Sequence, residues 1–205
     1  MCRPAVWIFL PRTLPPWQHG GEGARGGPLA PGSATEPMTA AHLKRQSHEP
    51  GHRRKFLAVV DDTPECDRAV YYASRRAAGT GGGLVLLGIL EREGVNQQWL
   101  GVADLMRAEA QEEMEARLQK FAARARQVAG VESELAIREG AKAEAILNLI
   151  ADDRDVAILV LAAGTSSEGP GPLVASLAGA NAARFPVPIT IVPGALSDEE
   201  LDALA

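Results

Sequence analysis

The ten residues FLAVVDDTPE, 56–65, set a short strand directly against a helix start. Phe56 to Val60 are all apolar, and an uninterrupted run of that length suits a strand covered on both faces. It breaks off at two aspartates, and Asp61-Asp62-Thr63-Pro64-Glu65 has the chemistry of a helix N-terminus. Thr63 supplies a capping hydroxyl, Pro64 has no N–H to leave unsatisfied, and Glu65 stands at the positive end of the helix dipole. The helix is expected to run to about Ala78, with Ala69, Val70, Ala73 and Ala77 facing a core, until the glycine-rich GTGGG of 79–83 ends it.

The same strand-then-helix unit recurs along the chain. LVLLGIL (84–90) is a second buried strand, and beyond a loop containing Trp99 residues 102–129 read as a long helix. Its apolar face is Met106, Ala110, Met114, Leu118, Phe121, Ala125 and Val128, at three- and four-residue steps. Glu109, Glu112, Glu113, Glu115 and Arg117 make the opposite, solvated face rather than a metal site. VESELAIREG (131–140) alternates polar and apolar residues, as an edge strand with one exposed face does. A helix over 142–152 turns Ala143, Ile146, Leu147 and Ile150 inward, and VAILVLAAG (156–164), the most apolar run, is a central strand. The connection GTSSEGPGP leads to a helix near 173–184, and VPITIV (187–192) closes the sheet. Strands alternating with helices through right-handed crossovers predict an α/β fold, a doubly wound five-stranded parallel sheet with helices on both faces.

Composition divides the 205 residues in two. Residues 1–54 hold eight of the 14 prolines, all four histidines and a net charge of +4, which leaves −9 for residues 55–205 out of the total of −5. The segment GGEGARGGPLAPGSATEP within the tail has no apolar face to offset a backbone ordering cost of about 1–2 kcal/mol per residue, and it is expected to be disordered. Met38 offers an alternative translation start, which would make residues 1–37 an over-extension. The basic cluster Lys44, Arg45, Arg53, Arg54 and Lys55 reads as a solvated flank in preference to an interaction arm. The apolar run Ala5 to Leu10 is too short for a signal-peptide core or a membrane span, so a cytosolic protein is expected.

An acidic, histidine-free body excludes several kinds of chemistry. It lacks the positive field that recruits nucleic acid or anionic lipid. It has no imidazole for a Ser-His-Asp or Cys-His pair and no histidine for a zinc site. Cys2 and Cys66 are the only cysteines, too few for a disulfide scaffold or a thiolate metal cluster. Cys66 falls in the first turn of a helix, where the dipole favours a reactive thiolate, against the simpler reading of an inert packed thiol.

Four segments in order, KFLAVVDDTPECDRAVYYASRRA, ELAIREGAKAEAILNLIADD, VAILVLAAGTSSEGPGPLVASLAG and FPVPITIVPG, closely resemble the universal stress protein family, in the variety common in alphaproteobacteria. The resemblance spans residues 55–196 and implies a sheet of order 3-2-1-4-5. In that order the crossover direction reverses between strands 1 and 4, which opens a crevice beyond the strand C-termini where ligands bind in open α/β folds. The resemblance therefore implies a nucleotide site, for ATP or AMP with Mg²⁺, among Asp61, Asp62, Ile89, Gly164, Thr165, Ser166, Ser167, Gly169 and Ser176. Asp61 matches the aspartate that meets adenine in ATP-binding members.

The family's phosphate-wrapping pattern, G-x-x-G-x9-G-S/T, is matched only in part. Gly164 fits the first glycine, Ser167 stands where the second belongs, and Gly169 and Gly171 are displaced. Counted back from Pro186, Ala175-Ser176 takes the place of the closing pair; counted from Gly169, Gly179 does, followed by Ala180. Pro170 and Pro172 remove two donors from the loop, and two lost donors weaken micromolar binding to roughly 0.1–10 mM. Purely structural roles account for the same residues: Gly164 as a tight turn, Asp61 and Asp62 as dipole partners, Ser166 and Ser176 as caps.

The chain carries no S-G-G-x-D-S or H-x-G-H signature and no nucleophile elbow, so no catalysis is expected. The resemblance implies a homodimer through the last strand, 187–192. The ending LSDEELDALA contains a capping box, Ser197 to Glu200, for a short acidic helix over that interface or a frayed tail. Two functional readings follow: a dimeric stress-response module that binds a nucleotide, or a family member without ATP binding that works as a dimeric interaction protein.

Overall fold

The computed structural model describes residues 44–91, 100–165, 169–179 and 182–205. The expected disorder of the first 43 residues, the Met38 start, the loop with Trp99, and the candidates Ser166 and Ser167 lie outside the described residues.

Five strands, β1 (Lys55–Val60), β2 (Gly83–Leu90), β3 (Ser133–Glu139), β4 (Val156–Ala163) and β5 (Ile189–Pro193), form one parallel sheet in the order β3-β2-β1-β4-β5. Between them run α1 (Cys66–Thr80), α2 (Leu100–Ala129), α3 (Lys142–Asp152) and α4 (Pro172–Ala178), and α5 (Asp198–Leu204) follows the last strand. Successive side chains of a strand point to opposite faces, and the apolar run of β1 accordingly feeds two cores. Phe56, Ala58 and Val60 pack with α1, α2 and α5, whereas Leu57 and Val59 pack with α3 and α4. A bulge where β4 meets β1 lets Lys55 pair with Val156 and Phe56 with Ile158, so the two strands reach their C-terminal ends in register.

Several boundaries differ from the sequence expectation. Thr63 does not cap α1, because its hydroxyl donates to Asp61 Oδ1 at 2.6 Å and its N–H to the same oxygen at 3.1 Å. Residues 63–66 form a separate turn, Cys66 N–H to Thr63 O at 3.2 Å, and the helix starts two residues later than a Thr63 cap would place it, with Glu65 as N-cap. At its other end α1 absorbs Gly79 and Thr80 and stops at Gly81, whose φ of 63° only glycine adopts cheaply. Met106 and Ala110 of the expected apolar stripe of α2 are exposed, because packing on the sheet begins only at Met114. There Gly88 on β2 makes room for the helix: a Cβ at that position would lie 2.5 Å from Met114 Sδ.

The helix expected near 173–184 is shorter. It begins at Pro172, ends before Gly179 and is followed by a single 3-10 turn, Ala182–Arg184. β5 starts at Ile189 because Pro188 has no N–H to offer the ladder, although its carbonyl accepts from Leu159 N–H at 2.9 Å. The capping box of α5 is present, and the helix is docked on α1 rather than frayed: Leu201 is fully buried, and Tyr71 Oη donates to Asp202 Oδ1 at 2.8 Å. Arg68 and Arg124 both reach Asp198, at 2.7 and 2.9 Å, and both guanidinium groups lie over the Tyr71 ring.

Residues 44–54, which composition assigned to the tail, are packed onto the body. Gln46 N–H donates to Arg154 O at 3.0 Å, Arg45 Nη1 to Ile150 O at 2.6 Å and Arg154 Nη2 to Lys44 O at 2.7 Å. Arg45 thus serves the fold rather than a free basic flank.

Candidate functional site

β1 lies between β2 and β4, and the chain leaves it for β2 on one side but returns to β4 on the other. This reversal opens the crevice at the C-terminal ends of β1 and β4. Three backbone segments meet there: the β1–α1 turn at 61–65, the start of the β4–α4 loop at Gly164 and Thr165, and Gly194 just after β5, whose N–H donates to Ala163 O at 3.0 Å.

Glu65 is the residue that joins the three. Its carboxylate Oε1 accepts from Thr165 N–H at 3.1 Å, across the mouth of the crevice. This bond, first among the causes, holds the Glu65 carboxyl below the usual glutamate range. A Cβ on Gly164 would lie 3.5 Å from Oε1, and a Cβ on Gly194 would lie 2.5 Å from Glu65 Cγ. Gly194 therefore leaves the space through which the glutamate passes, whereas a side chain at Gly164 would meet the carboxylate only at ordinary contact distance. Gly164 N–H donates to Pro170 O at 3.1 Å, which ties Pro170 to the end of β4.

The structure brings Asp61, Asp62, Gly164 and Thr165 to this one mouth, but gives them unequal freedom. Asp61 Oδ1 is tied to Thr63, whereas the Asp62 side chain is exposed. Gly169 has a φ of 110° in the returning arm of the loop, a glycine conformation that sets the turn into α4. Ile89 lies near the end of β2 in the core beneath α3 and α4, and is 8% exposed. Ser176 is in the interior of α4 and does not cap it; the N-cap is Gly171.

The placement of α4 also decides between the two registers of the closing Gly-Ser pair, and neither survives. Ala175-Ser176 is inside the helix, and Gly179 is at its C-terminal end. The residues at the helix entry are Gly171 and Pro172, and Pro172 has no N–H for a phosphate oxygen. Glu65 and Gly194 were not singled out as site residues from the sequence. In sequence Glu65 reads as a partner of the helix dipole, and the signal for Gly194 is its place directly behind the last strand in FPVPITIVPG.

Cys66, one residue further on, is 2% exposed, and its Sγ–H points to Val59 O at 3.8 Å. Burial is the main cause that pushes its thiol up to about 12, so the packed, inert reading holds and the dipole-activated one does not. Among the described residues no group of three or more His, Cys, Asp or Glu side chains is arranged to hold a metal ion. Among them, too, no helix is long and apolar enough to cross a membrane.

A cavity of about 320 Å³ opens at the opposite end of the sheet, where the strands begin. Its floor is Val85, Leu135 and Leu149, but its polar rim is satisfied internally. Lys55 Nζ bridges Glu134 at 2.8 Å and Asp153 at 2.9 Å, and His52 Nδ1 is 2.7 Å from Asp155. Burial alone would lower the Lys55 ammonium, but the hydrogen bonds to those two carboxylates outweigh it and raise it. These groups hold the 44–54 segment and the strand starts together.

Comparison with known proteins agrees with this geometry. Residues 52–193 match the model of the universal stress protein family. The fold is similar to that of universal stress protein UspA from Lactobacillus plantarum, with a TM-score of 0.56 at 15% identity over 68% of this chain and 97% of that one. It is similar to a universal stress protein from Archaeoglobus fulgidus, with a TM-score of 0.51 at 17% identity over 68% and 93%. It is also similar to a universal stress protein solved in complex with cAMP, with a TM-score of 0.50 at 19% identity over 69% and 98%. No curated protein matches the chain.

Proposed function

The chain belongs to the universal stress protein family, and from that premise we propose that it is a stress-response module that binds an adenine nucleotide at the β1/β4 crevice and works without catalysis, as a cytosolic dimer. The observation that carries this reading is the convergence of Asp61, Gly164 and Thr165 at the one place where the sheet reverses its winding. The cAMP complex of a relative with the same fold supports a nucleotide of few phosphates as occupant. A magnesium ion accompanying a longer phosphate chain would have Asp62 as its exposed carboxylate, because Asp61 is already tied to Thr63. Dimerisation through β5 is supported by its place at the open edge of the sheet, where Ile191 is 40% exposed.

A second reading has its own observation. The entry to α4 is Gly171-Pro172, without the donor that would grip a phosphate, as expected of a dimeric interaction protein that has given up ATP. Thermal unfolding of the full chain in Mg-ATP, AMP and adenosine separates the two. A ligand at 100 times its Kd stabilises by about 2.7 kcal/mol, a rise of roughly 5–11 °C for a chain of this size. No shift with any of the three supports the interaction protein. Sedimentation as a monomer at micromolar concentration would remove the dimer from both readings.

A further inference from the structure

We propose that Glu65 is an internal anion seated on the Thr165 amide at the end of β4, and that it makes this site select unphosphorylated nucleosides over their phosphates. The inference rests on the reading of the crevice as an adenine site and narrows the occupant proposed there from the adenine nucleotide to its nucleoside.

The seat is built by several residues. Oε1 accepts from Thr165 N–H at 3.1 Å, the amide that follows the glycine at the end of β4. The aliphatic stem crosses Gly194, where a Cβ would approach Cγ to 2.5 Å and Glu65 Cβ to 3.1 Å, and the carboxylate passes Gly164. Glu65 is the N-cap residue of α1, yet its side chain makes no cap bond to that helix. The neighbouring amide, Gly164 N–H, is spent on Pro170 O. Hence a phosphate oxygen arriving at the end of β4 meets a carboxylate already on the Thr165 donor.

A carboxylate and a phosphate are alternative acceptors for one N–H and repel each other at contact distance. A nucleoside brings no charge to that point, so it is not excluded. The glutamate thus does for the crevice what a bound anion would do, and it is carried on the first loop of the fold.

The test compares the full chain with Glu65→Gln, which keeps an acceptor oxygen but removes the charge, and Glu65→Ala, which removes both. Adenosine and AMP are the probes, titrated calorimetrically, and the Thr165 amide resonance reports whether the seat is vacated. The expected result is that the parent chain binds adenosine at least as tightly as AMP. Glu65→Gln then tightens AMP roughly tenfold or more while adenosine changes less than twofold, with Glu65→Ala at least as large an effect. If both ligands bind but the ratio of their Kd values is the same in all three proteins, Glu65 does not select and the nucleotide reading stands without it. If the parent chain already prefers AMP over adenosine, the inference is overturned. If neither ligand binds any of the three, the nucleotide reading falls and the inference falls with it.

Discussion

Replacing Gly194 by alanine should destabilise the protein, although glycine-to-alanine changes usually do the opposite. The added Cβ would lie 2.5 Å from Ala163 O and 2.5 Å from Glu65 Cγ, whereas carbon contacts become favourable only near 3.5 Å. Glu65 can swing aside, but Ala163 O belongs to the end of β4, and it also accepts the Gly194 N–H at 3.0 Å. Relief of the clash therefore has to move backbone where β4, β5 and the crevice meet. Overpacking of this kind costs about 1–3 kcal/mol. At roughly 2–4 °C per kcal/mol in a protein of this size, Tm falls by about 2–12 °C. Gly79→Ala is the matched control: it sits near the end of α1 with nothing within 4 Å of its would-be Cβ. There the loss of unfolded-chain freedom and the better helix propensity give about 0.5–1 kcal/mol of stabilisation and a Tm higher by roughly 1–4 °C. Differential scanning calorimetry of the two variants against the parent chain reads both signs. A Gly194→Ala protein as stable as its parent, beside a Gly79→Ala protein that gains, would refute the close packing assigned to Gly194. As a second readout, the Thr165 amide should shift in Gly194→Ala, because Glu65 loses its seat, and stay in place in Gly79→Ala.

Two further outcomes follow from the groups around α1. With its thiol pushed up to about 12 by burial, Cys66 should resist a disulfide reagent at neutral pH in a Cys2→Ser chain and react at once on unfolding; rapid labelling of the native state would contradict the packing described. Asp198 is held below the usual aspartate range, first by its hydrogen bond from Arg124 and then by Arg68. Because the folded value is the depressed one, this contribution is present above the ordinary aspartate range and is lost as pH falls through the folded value. The fall of Tm between about pH 5 and pH 3 should therefore be shallower in Asp198→Asn than in the parent chain, and parallel curves would show that the contact adds nothing to folding.

Much of the architecture was legible in the chain because burial on both faces leaves an uninterrupted apolar run. Phe56–Val60 and Val156–Ala163 could be read as strands without any partner in view, and helix 142–152 was bounded correctly by its own periodicity. The errors cluster where a side chain had two local partners to choose from. Thr63 has the composition of a cap, but Asp61 is two residues away and takes its hydroxyl, which moves the helix start. Met106 and Ala110 continue the spacing of Met114 and Leu118, but α2 outruns the sheet it packs on, and no periodicity records where a sheet ends. Residues 44–54 look like tail by composition, yet they are fixed by carbonyls of α3 and the turn before β4, more than 100 residues away in sequence.

The sequence alone thus determined the strand and helix content, the parallel winding, the family and the neighbourhood of the crevice, because apolar patterning and turn chemistry are local properties. Only the tertiary structure placed Glu65 at the mouth of that crevice. Glu65 and Thr165 are 100 residues apart, and Gly194 lies beyond both; the contact among them exists because β1, β4 and β5 end side by side. A carboxylate that reads as a dipole partner in one dimension becomes, once the sheet is assembled, the group that links the ends of β1, β4 and β5.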